Sequence, residues 1–210
     1  IERANINPLD WKKSPRETVA LQQSRFLLGT LVTITVHHLD SFKAQNAVTK
    51  AFAAIEKIDR IMSIHRLDSD LSAVNRNAGR KMVSVDRSLL DILKMAKLFH
   101  GLTGGVYDVA CLPLMRLYGF YAPQEEGFSY PGDRVLQETL SRIGQRYIVL
   151  DEKSGCVGLS CKGGGIDLGS IGKGYAVDCA GNALKSEGIE NALIDAGGNV
   201  LALGAPHGDE

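Results

Sequence analysis

Apolar residues recur at helical spacing along Ser41–Met62, at Ala47, Ala51, Ala54, Ile55, Ile58 and Ile61. That period predicts an amphipathic helix facing a core, with Asp40 or Ser41 as its cap. A second helix is expected from Arg87 to His100, stopped by Gly101. A short helix near Val135–Ile143 and a longer one from about Gly172 to Glu187 complete the helical set. The pattern changes to alternation in Phe26–His38, around Leu31-Val32-Thr33-Ile34-Thr35-Val36, a β-branched run that predicts a strand. Tyr147–Leu150 and Val157–Ser160 read as a hairpin around Glu152-Lys153-Ser154-Gly155. Asn191–Leu203 reads as strand, Gly197-Gly198-Asn199 turn, strand. Residues 1–24 are polar and hold Trp11 and two prolines, the pattern of an arm, and 25–210 are expected to form one domain. A loop rich in Pro, Gly and Glu at 121–133 reads as an insertion. No internal repeat is evident. Hairpins mixed with long helices predict an α+β fold, with mixed sheets flanked by helices, over a regular βαβ series.

Composition narrows the function classes. The 210 residues can bury a real core, and the formal net charge is +0. With no long Lys/Arg run, nucleic acid is not an expected partner. No apolar run reaches the ~20 residues of a membrane span. The polar start Ile1-Glu2-Arg3-Ala4-Asn5 lacks an initiating Met, as a mature or trimmed chain would. Cys111, Cys156, Cys161 and Cys179 form no C-x-x-C pair and read as buried free thiols.

The densest candidate chemistry lies in Gly165-Ile166-Asp167-Leu168-Gly169-Ser170-Ile171-Gly172-Lys173-Gly174 and on to Asp178, where a strand should give way to a helix. Glycines admit a ligand close to the backbone, and a helix N-terminus offers unpaired amides and a positive dipole end. Lys173 adds a mobile cation, and Asp167 could hold a metal or a polar ligand group. Together they suggest a phosphate-bearing ligand, a nucleotide; a Gly-rich turn with a capping aspartate fits the same residues. Spacing excludes a P-loop, since Gly174 follows Gly172-Lys173, and also the dinucleotide fingerprint, whose glycine order is reversed here.

Three further clusters stand out. Met62–Asn75, directly after the long helix, is rich in side chains that bond their own backbone, so a helix–turn–helix cap explains it, and His65 alone reads as a surface or core histidine. In Thr103-Gly104-Gly105-Val106-Tyr107-Asp108, ahead of Pro113-Leu114, Tyr107 could stack on a ring and Asp108 accept a hydrogen bond, or Asp108 could cap a turn. Ile194-Asp195-Ala196-Gly197-Gly198-Asn199 by itself is a hairpin turn.

In this order, and with Leu28-Gly29-Thr30, these stretches resemble the ApbE-type FAD:protein FMN transferases from about residue 26 onward. The resemblance implies a layered, T-fold-related α+β domain. It implies an enzyme that binds FAD with Mg²⁺ and transfers the FMN half to a Ser or Thr hydroxyl of an acceptor flavoprotein, releasing AMP. A non-catalytic FAD-binding module, or an FAD pyrophosphatase giving FMN and AMP, are the alternatives. Leu28, where the family usually has Met, would lie beside the flavin, and His65, at a position often Tyr, against its plane. Val106, Tyr107, Asp108, Asp167 and Lys173 would contact FAD, and the Ser170 backbone carbonyl would ligate the metal. The family runs on past the segment matching Gly204, into a part that supplies carboxylate metal ligands and a histidine proposed as base. No general base is therefore assigned here, and the chain is expected to be a fragment or a shortened relative. The family's location implies the periplasm or cell envelope, with peripheral or lipid-anchored membrane association of the precursor.

Overall fold

The computed structural model describes residues 19–121 and 130–204. In chain order the elements are β1 (Val19–Leu27), β2 (Thr30–His38), α1 (Ser41–Met62), α2 (Asp70–Arg76), β3 (Val83–Ser84), α3 (Arg87–Leu102), α4 (Leu112–Leu117), α5 (Asp133–Leu140), β4 (Ile148–Asp151), β5 (Cys156–Leu159), α6 (Gly172–Ser186), β6 (Asn191–Ala196) and β7 (Asn199–Leu203).

The long helix keeps the bounds its periodicity predicts. The Asp40 carboxylate accepts from the Phe42 and Lys43 amides at 2.9 and 3.0 Å and so satisfies two first-turn donors. Ala47, Ala51, Phe52, Ile55 and Ile58 form its buried stripe. Against that stripe lies a four-stranded antiparallel sheet in the order β1-β2-β6-β7. Val32, Ile34 and Val36 alternate inward from β2, and Ala192, Ile194 and Ala196 from β6. With Val32 paired to Ala196 and Ile34 to Ile194, these two sets meet on one face. Helix α6 shares that face. It lies close over β7 because Gly181 has no side chain: a Cβ there would sit 2.3 Å from Leu201 Cδ2. A smaller antiparallel sheet, β3-β5-β4, extends the core through Val157 and Leu159. The α+β reading holds, and both sheets are antiparallel throughout.

Two sequence expectations change. Phe26–His38 is not one strand: Leu28 and Gly29 turn the chain between β1 and β2. The arm expected over 1–24 falls largely outside the described residues, but from Val19 on the chain is strand β1. Polar Gln22, Gln23, Ser24 and Arg25 hide this strand in the sequence. They are tolerated because β1 is a sheet edge, and the Arg25 guanidinium lies 4.5 Å over the Phe52 ring and 2.8 Å from Glu56. Of the loop expected at 121–133, residues 122–129 lie outside the described set, and Asp133 already opens α5. The four cysteines are free, each half-buried. No helix among the described residues is long and apolar enough to cross a membrane.

Candidate active site

One cleft gathers chain segments far apart in sequence. Its walls are the Leu28-Gly29 turn, the C-terminal end of α1 (Ile58, Asp59, Met62), Ser63–His65, and Asp167–Gly169 with Gly172 and Lys173, with Tyr121 beside them. It encloses about 180 Å³. A pocket that engulfs a drug-sized ligand holds ~300–1,000 Å³, so this cleft has room for only one portion of such a ligand.

The Leu28-Gly29 turn is shaped for the cleft. Leu28 has φ 55° and Gly29 φ 72°, the paired left-handed conformation of a tight antiparallel hairpin. Leu28 is the one non-glycine residue with positive φ among those described. Asn or Gly would take that position with less strain, and a leucine held there sets an apolar surface at the cleft wall.

On the facing wall the buried chain Gly165–Leu168 turns outward into α6. Asp167, 7% exposed, accepts from the Gly169 amide at 2.7 Å through Oδ1 and from the Tyr121 hydroxyl through Oδ2. Burial, and then the bond to Asp167, pushes the Tyr121 phenol above its ordinary value, so this hydroxyl stays a donor at neutral pH. The Tyr121 ring also meets His65 edge-on, with centroids 5.6 Å apart. Helix α6 begins at Gly172 with no side-chain cap, and Lys173 stands in its first turn, its Nζ donating to the Gly169 carbonyl at 3.3 Å. The cation therefore bends back over the amide end of the helix, where an anion is favoured.

The structure divides the sequence candidates. Leu28, His65, Asp167 and Lys173 line the cleft together. Tyr107 reaches its border, its hydroxyl 3.1 Å from Ser170 Oγ in the exposed turn before α6. Val106 is 91% exposed and lines no part of the cleft. Asp108 is also outside it: Oδ1 accepts from the Ala110 amide at 2.8 Å and Oδ2 from the Gln145 amide at 2.7 Å. Tyr121 and Asp59 are polar cleft residues that sequence reasoning did not single out, and Tyr121 is the one bonded to Asp167. The signal for Tyr121 was present in the aromatic run Tyr118-Gly119-Phe120-Tyr121 beside Pro123, hidden inside a stretch read as loop. Between the two carboxylates sits Cys111, whose thiol is pushed up to about 11 by burial and then by the charges of Asp167 and Asp108. Among the described residues no group of three or more His, Cys, Asp or Glu side chains could hold a metal ion.

An apolar wall, a buried carboxylate with its hydroxyl partner, and a lysine over an uncapped helix end suit a ligand with a flat apolar part and a diphosphate. The chain is similar to known proteins over most of its length. The family model described as "ApbE family" matches residues 28–210. A Treponema pallidum (strain Nichols) protein named FAD:protein FMN transferase is 30% identical over 198 residues, covering 89% of this chain and 52% of the relative. The solved "Flavin Transferase ApbE from Vibrio cholerae" superposes with a TM-score of 0.81 at 27% identity, over 90% of this chain and 60% of that one. The ApbE protein from Thermotoga maritima gives 0.79 at 29% identity, over 91% and 61%. The chain thus spans about half the length of the curated relatives it matches.

Proposed function

The chain belongs to the ApbE family, and from that premise we propose that its cleft binds FAD for Mg²⁺-dependent transfer of FMN to a Ser or Thr hydroxyl of an acceptor flavoprotein. The observation that carries this reading is Lys173 folded over the uncapped start of α6, beside the Asp167 carboxylate and opposite the strained Leu28. Leu28 and His65 supply the apolar and planar surfaces for the isoalloxazine, and Lys173 with the helix end takes the diphosphate. Asp167 shapes the Gly169 turn through Oδ1, and its Oδ2, which accepts from the Tyr121 hydroxyl, would be shared with or passed to the ligand.

In the transfer, the acceptor hydroxyl oxygen attacks the phosphorus of the FMN half. The bond from that phosphorus to the bridging oxygen breaks, AMP leaves with the electron pair, and the hydroxyl proton is lost. Such chemistry needs positioning and charge neutralisation more than covalent help from the protein. With no cluster of metal-ligating side chains among the described residues, Mg²⁺ would be held as an ion shared with the substrate. Hard oxygens, several of them water or phosphate, suit it, and the Ser170 carbonyl in its exposed turn would be the protein ligand. Bound there, it would neutralise charge on the diphosphate. For location, kinship alone supports the periplasm or cell envelope.

Product analysis tests the reading. Incubated with FAD, Mg²⁺ and an acceptor protein carrying a target Thr, the chain should give acceptor whose intact mass has gained FMN, together with AMP. Free FMN and AMP without modified acceptor would show a pyrophosphatase, and intact bound FAD a binding module.

A further inference from the structure

Helix α2 spans the gap between the two walls of the cleft, and polar side chains fasten it at both ends. At its start, Ser69 is 1% exposed; its hydroxyl donates to the Ser63 carbonyl at 2.6 Å and accepts from the Ser72 amide at 3.0 Å. Ser63 belongs to the wall that carries His65. In its last turn, Asn75 reaches across 91 residues of sequence to the other wall. Its Nδ2 donates to the Ile166 carbonyl at 2.9 Å, and its Oδ1 accepts from the Ile166 amide at 2.8 Å. Both backbone groups of the residue before Asp167 are thus held by one side-chain amide, where a neighbouring strand would otherwise hold them. On its far side the same run is fixed by two backbone bonds, from the Asp167 amide to the Val109 carbonyl at 2.8 Å and from the Leu112 amide to the Gly165 carbonyl at 3.2 Å.

We infer that Asn75 is a positioning residue of the flavin cleft: its two-point clamp on Ile166 fixes how far Asp167 and the Gly169–Lys173 turn stand from the His65 wall. The inference rests on the FAD reading of the cleft for its functional consequence, while the clamp itself can be tested without ligand. Ile166 offers one donor and one acceptor to be paired, so the clamp needs an acceptor and a donor. Asn75 uses one of each, a demand that Asp meets only when protonated. Ionised, an aspartate keeps the acceptor for the Ile166 amide but turns a negative oxygen toward the Ile166 carbonyl. Protonated, it regains the donor.

The experiment compares wild type, Asn75→Ala and Asn75→Asp by FAD titration across pH, thermal unfolding, and amide hydrogen exchange of the ligand-free chain. In Asn75→Ala, FAD affinity should fall by about tenfold or more, two hydrogen bonds having been lost from the cleft wall. Exchange should quicken in 164–170 while α3 keeps its protection. Asn75→Asp should be as weak as Asn75→Ala at about pH 7.5 and recover toward wild type only as the pH falls to about 4, where an ordinary aspartate takes up its proton, a recovery that wild type and Asn75→Ala lack. Unchanged affinity and unchanged exchange in Asn75→Ala would overturn the inference. So would an Asn75→Asp variant whose FAD deficit does not ease on protonation, or an Asn75→Ala variant that loses thermal stability while its FAD affinity stays at the wild-type value. If wild type bound no FAD, the flavin reading would fall, and the exchange data would still judge the clamp.

Discussion

Asp167 and Asp108 look alike in the sequence. Each follows glycines, each has Tyr, Ser or Gly partners close by, and each sits in a stretch matching the same family. The fold gives them opposite tasks. Asp108 spends its two oxygens on the amides of Ala110 and Gln145, with His100 Nδ1 3.5 Å away, and so pins the chain behind the cleft. Asp167 gives one oxygen to the Gly169 amide and the other to a tyrosine hydroxyl that lines the cleft. A carboxylate whose two oxygens are both anchored by backbone amides is held in place, and turning either oxygen to a ligand would loosen its own loop. A carboxylate bonded to a side-chain hydroxyl can exchange that partner for a ligand by a rotamer change. The motif marks where a carboxylate is placed, and the donors that the fold brings to it decide its use.

The largest expected effect is on the Asp167 side. Lys173→Ala removes the one cation folded over the start of α6, and FAD affinity should fall by roughly 30-fold, about 2 kcal/mol, the size of a lost charge-assisted contact to phosphate. Isothermal titration at fixed Mg²⁺ reads it, with melting temperature nearly unchanged.

On the other side the expected effect is on stability. Asp108→Ala leaves the Ala110 and Gln145 amides without their acceptor, so unfolding free energy should drop by about 1–3 kcal/mol in a denaturant titration. FAD affinity in the folded variant should stay within about threefold of wild type, since one weak contact at most is disturbed. A large affinity loss at constant stability would put Asp108 in the site and break the comparison.

A smaller effect sharpens it. Tyr121→Phe removes the hydroxyl that competes for Asp167 Oδ2. FAD affinity should rise about two- to fivefold if ligand and tyrosine share that oxygen. A fall would mean that Tyr121 binds the ligand itself.

The smallest is a probe of both carboxylates at once. The Cys111 thiol stands at about 11, raised by burial and then by Asp167 before Asp108. Removing a neighbouring negative charge lowers a thiol pKa, so more thiolate exists at a given pH. Below pH 11 Cys111 should alkylate slowly in wild type, and faster by a few-fold in Asp167→Asn than in Asp108→Asn. Peptide mapping after timed iodoacetamide treatment at about pH 9 gives the order.

Much of the fold was legible. Helix α1 kept both predicted ends because a capping residue, Asp40 of the two candidates Asp40 and Ser41, precedes a long apolar period. The 148–159 and 191–203 hairpins were legible for the same local reason, glycines at the turns between alternating runs. The first hairpin was not, since its turn uses a leucine in a conformation sequence rules reserve for Gly or Asn, and its outer strand is polar. In the cleft, Leu28, His65, Asp167 and Lys173 were reached through motif order. Tyr121 and the role of Asn75 depend on contacts across 46 and 91 residues, which no local pattern encodes.

The most direct test of the central claim is a flavin-fluorescence titration of wild type, Asp167→Ala and Asp108→Ala, each first shown to be folded. Saturable FAD binding in wild type, weakened in Asp167→Ala and preserved in Asp108→Ala, is the predicted result. Equal affinity in all three, or a loss confined to Asp108→Ala, would contradict the account, because the cleft at the start of α6 would then not be where FAD binds.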